Sequence, residues 1–63
     1  MHANHAYNLM AQTVEESKSH WRIKTTYMKD AKGCKECLAF WKKLEHDKEN
    51  HVKELTRLIK IHI

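Results

Sequence analysis

Sixty-three residues with a formal charge of +4, no proline and one glycine exclude a multi-domain chain and an all-β domain built on several tight turns. A chain this small leaves much of its apolar surface exposed and ordinarily needs a staple or a partner. Basic and acidic residues alternate, as in Lys42-Lys43-Leu44-Glu45 and Asp47-Lys48-Glu49, which is the pattern of a solvated helix face and not of a nucleic-acid-binding arm. No apolar run approaches the ~20 residues that span a bilayer, and the N-terminus lacks a signal-peptide pattern. The expected setting is therefore cytoplasmic, without membrane or nucleic acid.

Met, Ala, Leu, Lys and Glu, all helix formers, are plentiful. Asn4 is a candidate N-cap for a first helix over about residues 4 to 31. Lys29 and Lys32 lie at its C-terminal end, where cations favour the helix dipole. Gly33 closes a turn at about 32 to 33, because glycine reaches left-handed backbone angles at little cost. The second helix is expected over about residues 34 to 62, with Glu36 in its first turn and Lys60 in its last. Two helices of about 28 residues, each about 42 Å long, joined by a short turn form an antiparallel helical hairpin in an all-α fold. A single helix broken at Gly33 is the alternative.

Tyr7, Met10, Val14, Trp21 and Met28 follow a 3,4 repeat in the first helix, with Ser17 and Lys24 filling its gaps. Cys37, Trp41, Leu44, Leu55 and Leu58 do so in the second, and Leu38, Val52 and Ile59 form a flanking row. These stripes predict the faces that pack, with Trp21 and Trp41 as core anchors and Tyr27 in the core or on its rim. A face wider than a coiled-coil seam suits a four-helix bundle, which two hairpins make by dimerising.

The stripes fail at matching heights. Lys48 and His51 fall on seam positions of the second helix and Glu45 interrupts the flanking row, while Ser17 interrupts the first stripe beside Glu16 and His20. Folding back at Gly33 sets His20 against His46 and Asp47, and Glu16 against Asn50 and His51. Buried polar groups need partners. Two readings satisfy them: a hydrogen-bonded layer that fixes register and oligomeric state, or a divalent transition metal, zinc first, held by His20, His46, Asp47 and His51 with Glu16 next. Asp47 and His51 are four apart and project from one helix face. Of the remaining histidines, His2 and His5 sit near the N-terminus and His62 at the C-terminal end, while His46 has a surface reading as well. No residue pattern here marks catalysis.

Cys34 and Cys37 form a C-x-x-C at the start of the second helix, beside Lys35. The spacing is that of a redox pair or half a zinc site, but no βαβ pattern accompanies it, and Cys37 falls on the apolar stripe, where a small buried thiol is the ordinary reading.

The run Phe40-Trp41-Lys42-Lys43-Leu44-Glu45-His46-Asp47-Lys48-Glu49-Asn50-His51-Val52 resembles the second helix of a rubrerythrin-type, ferritin-like domain, in which an aromatic pair precedes an acidic run ending in Glu-x-x-His. Glu16-Ser17 sits near the place of the metal-binding Glu of that family's first helix. The resemblance implies that Glu16 and His51 stand at ligand positions and that iron is the alternative metal. Lys48 stands where the family's second-helix Glu ligand belongs, which removes a bridging carboxylate. The resemblance thus implies a bundle ancestry more than a di-iron activity, and a half-length hairpin with inserted histidines would fit an engineered metal site.

Overall fold

The structure, a computed structural model, describes residues 3 to 62; His2 lies outside them. Two long helical arms run antiparallel and pack along their length in a layer measuring 48 × 14 × 12 Å. The first arm comprises α1 (Ala3–Arg22), a π-helical turn (Ile23–Tyr27) and a short α2 (Met28–Asp30); the second is α3 (Lys35–His62). Asn4 lies inside the first turn of α1 and not at its cap.

The arms meet along two regular 3,4 repeats. On the first arm the inward positions are Ala6, Leu9, Thr13, Glu16, His20 and Ile23; on α3 they are Leu38, Trp41, Glu45, Lys48, Val52, Leu55 and Ile59, all half-buried or buried. The α3 seam is therefore the row expected to flank, joined by Trp41 and Leu55 and edged by half-buried Leu44 and Leu58. Cys37 is exposed, which corrects its expected burial. The α1 seam differs more. Tyr7 is 70 % exposed and Trp21 64 %, with Met10 and Val14 also open, so the stripe expected to pack inward faces solvent and Trp21 is no core anchor. Each of Tyr7, Met10, Val14 and Trp21 lies one position after a seam residue, about 100° around the helix. The more apolar of two adjacent stripes is the one left open, because the other carries Glu16 and His20, whose partners are on α3.

Among the described residues, Ile23 is the one fully buried hydrophobic side chain, at 1 % exposure. Five residues further on, Met28 is again half-buried. In an unbroken α-helix these two positions would lie about 140° apart. The π turn absorbs the extra residue, as the Met28 N–H bonds the Ile23 carbonyl, and so returns the chain to the seam. Within it Thr25 donates to the Trp21 carbonyl at 2.7 Å, a back-bond that favours local bending. At the seam's end the Tyr27 and Trp41 rings meet at a tilt of 45°, with centroids 4.9 Å apart.

The connection is a tight turn in which the Cys34 N–H bonds the Ala31 carbonyl at 2.9 Å. Gly33 adopts φ +98°, and a Cβ added there would meet nothing within 4 Å. The demand for glycine is thus one of backbone conformation alone. Gly33→Ala should cost about 1 kcal/mol, read from the urea midpoint. D-alanine at this position, accessible by chemical synthesis, should match or exceed the parent; equal losses from both enantiomers would contradict a purely conformational demand.

Candidate functional site

Polar residues on the seams of both arms meet halfway along the hairpin and form two adjoining clusters. In the first, Glu16 is buried, with its side chain 10 % exposed. It accepts from Lys48 Nζ at 2.7 Å through one oxygen and contacts His51 Nδ1 at 2.5 Å through the other. Both oxygens are used, so the burial of this carboxylate leaves nothing unpaired. The Lys48 hydrogen bond, against the opposing effect of burial and with the help of His51, holds the Glu16 carboxyl below its ordinary value of 4.5.

One turn toward the Gly33 end, His20 Nε2 lies 3.1 Å from Glu45 Oε1. Glu49, four residues beyond Glu45 on the same face of α3, completes a group of three: one ligand atom from each of His20, Glu45 and Glu49 lies within 4.8 Å of the other two. His20 and Glu45 are half-buried and Glu49 is exposed, where it also faces Lys53 at 3.6 Å. Donors bound to one tetrahedral zinc at about 2.1 Å stand about 3.4 Å apart, so closing this set takes side-chain adjustment of the order of 1 Å. One imidazole nitrogen and two carboxylate oxygens form a donor set that suits zinc and ferrous iron.

The residues read from sequence as metal ligands are thus divided. Glu16 meets His51, but Lys48 shares the same carboxylate. His20 meets Glu45, not His46 and Asp47; His46 is exposed and Asp47 half-buried, and neither joins the His20 group. The physical cause is the rotation of α3. With Leu38, Glu45 and Val52 on the contact line, Glu45 turns toward α1 and its neighbour His46 turns away. Glu45 and Glu49 had a signal in the sequence: both lie four residues apart on one face, at the height of His20. At the open end of the hairpin His5 and His62 make an edge-on ring contact, with centroids 5.8 Å apart.

The outer face of α1 is the second feature of the site region. Tyr7, Met10, Val14 and Trp21 line two adjoining shallow grooves. One, of about 560 Å³, is bounded by Thr13, Val14, Ser17, Lys18, Trp21 and Arg22; the other, of about 460 Å³, by Tyr7, Met10, Ala11, Val14 and Glu15. Among the described residues, no helix is long and apolar enough to cross a membrane.

The chain matches no protein-family model, no curated protein and no solved structure.

Because the folded-state pKa of Glu16 is depressed, its contribution to stability is present above its unfolded value and is lost as pH falls through the lower folded value. Glu16→Gln should therefore destabilise the hairpin by about 1 kcal/mol at neutral pH, and the difference from the parent should shrink progressively below about pH 4.5. Urea titrations at several pH values measure this; a difference that stays constant to pH 2 would contradict it.

Proposed function

We propose that this chain is a self-associating helical hairpin that binds a divalent transition metal, zinc first, between its arms. The observation that carries the metal reading is the convergence of His20, Glu45 and Glu49 from both arms to within 4.8 Å. His20 supplies a nitrogen from α1, and the two carboxylates supply oxygens from α3. Three protein donors leave a position for water or for a ligand from a second copy. Glu16 is engaged by Lys48, so its charge is already balanced. This favours the His20 group as the primary site and zinc over a di-iron arrangement of the ferritin-like kind. Ferrous iron is the alternative ion, since the donor set accepts it.

The metal reading is tested by calorimetric titration of zinc into the chelator-treated full chain. A saturable site should appear. His20→Ala and Glu45→Gln should weaken it at least about tenfold, while His46→Ala should leave it unchanged. Absence of saturable binding by the parent, or equal loss from the His46 variant, would overturn the assignment.

Self-association rests on the outer stripe of α1. Tyr7, Met10, Val14 and Trp21 run about 21 Å along one face and sit directly beside the seam to α3. That is the placement of a bundle helix which packs against two neighbours. The stripe is nearly symmetric about Val14, with Tyr7 and Trp21 each seven residues away. An antiparallel contact with a second copy therefore sets Val14 against Val14 at a two-fold axis and Tyr7 of each copy against Trp21 of the other, the reciprocal pairing of a closed dimer. Two hairpins paired in this way make a four-helix bundle. A metal-free assembly module is the alternative, and the two differ in their response to chelator.

The 7.6 kDa chain should sediment as a dimer at tens of micromolar, and Val14→Glu, which sets like charges at the two-fold axis, should return it to monomer. A parent that remains monomeric with and without zinc would overturn the association; a dimer indifferent to chelator would support the metal-free module.

A further inference from the structure

The turn end of the hairpin carries a second chemical feature, independent of the metal group and of the outer face of α1. Cys34 stands immediately before Lys35, the first residue of α3, and takes the capping position: its carbonyl accepts the Leu38 N–H at 2.9 Å, and its Sγ accepts the Cys37 N–H at 3.4 Å. Cys37 follows three residues later, one helical turn along the same side. Both thiols are free and exposed. Both line one hollow of about 370 Å³, with Tyr27, Asp30, Ala31 and Trp41 forming the rest of its wall.

From this geometry we infer that Cys34 and Cys37 are a reactive dithiol that exchanges with low-molecular-weight disulfides of the oxidised-glutathione type and closes an intramolecular Cys34–Cys37 disulfide. Three placements favour it. Cys34 sits at the junction of turn and helix, its N–H bonded to the Ala31 carbonyl of the turn and its carbonyl to the Leu38 N–H of α3, while Cys37 lies in the first turn of α3 itself. The N–H that reaches Cys34 Sγ is one of the unpaired donors of the helix start, and it stabilises negative charge on that sulfur. The hollow gives an incoming disulfide an open approach with two aromatic walls.

The two sulfurs have different roles. Hydrogen bonding from the Cys37 thiol, then from the backbone N–H groups of Cys37 and Glu36, lowers the Cys34 thiol below its ordinary value. The same thiol–thiol bond, together with the charge on Cys34, pushes Cys37 up. Cys34 is the attacking thiolate and Cys37 the resolving thiol. In the first step Cys34 Sγ attacks one sulfur of the external disulfide; that S–S bond breaks, and the departing thiolate takes a proton from water. In the second, Cys37 gives its proton to solvent and its sulfur attacks Cys34 Sγ, releasing the second external thiol. Two protein thiols are oxidised by two electrons, and one external disulfide is reduced to two thiols.

The test uses the reduced full chain equilibrated in glutathione buffers of graded potential, quenched with acid and alkylated. Mass spectrometry should show a single two-electron transition from two alkylated cysteines to none, with the chain lighter by two hydrogens and monomeric on a non-reducing gel. Cys37→Ser should trap a stable glutathione adduct on Cys34. In the single variants, alkylation of Cys34 should be faster than that of Cys37 by about tenfold or more. The inference is overturned if the parent accumulates glutathione on both cysteines, if interchain disulfides are the main oxidised product, or if the two cysteines alkylate at equal rates. A failure of zinc binding or of dimerisation leaves these readouts unaffected.

Discussion

The turn from Ala31 to Cys34 sets the register at which the two arms meet, and each interhelical pair depends on it. Gly33 at φ +98° reverses the chain in the space of one tight turn. Trp41 then stands against Tyr27, Glu45 against His20, Lys48 and His51 against Glu16, and His62 against His5. A slip of one residue in the first arm would carry Glu16 about 100° around its helix, and a slip in the second would carry Lys48 and His51 as far; either leaves a carboxylate without its two partners. Apolar contacts tolerate such a slip more readily than this pair of hydrogen bonds does, so the polar layer enforces the register that the turn initiates.

A layer of two helices can cover a side chain from one direction only. This is why, among the described residues of two arms that both carry leucines, isoleucines and aromatics, Ile23 is the single fully buried hydrophobic residue, and why Trp21 and Tyr7 remain open. The same thinness keeps water near the Glu16 cluster and the His20 group, which makes charged residues tolerable on a seam. A metal ion at the His20 group would meet half-buried donors from each arm, with Glu49 at the water-facing edge.

Much of this architecture is legible in the residues. The absence of proline, the lone Gly33 and the two long runs of helix formers lead to two helices and a turn within a residue or two of those observed. Folding back at Gly33 also places Glu16 at the height of His51 and His20 at that of the α3 acidic run. The inward face of α1 was not legible. The hydrophobic reading selects Tyr7, Met10, Val14 and Trp21 as the stripe that packs, whereas the observed contact line of Ala6, Leu9, Thr13, Glu16, His20 and Ile23 is half polar. A pattern rule weighs each side chain by its own affinity for water. It does not register that Glu16 and His20 find partners across the interface, and a shift of one residue is enough to interchange the two faces. The π turn escapes for a similar reason: Ile23-Lys24-Thr25-Thr26-Tyr27 has no local motif that marks it, and its need arises from where Met28 must arrive.

That inserted residue also divides the first arm into two sectors with different exposures. Before Ile23, the open apolar face of α1 looks away from α3; after it, Tyr27 turns onto Trp41 and borders the hollow that holds Cys34 and Cys37. The residues bounding the two regions do not overlap. A partner seated along Tyr7 to Trp21 would leave the thiol end uncovered, so the proposed clasp at the flank and the proposed oxidation at the tip would not compete for the same surface.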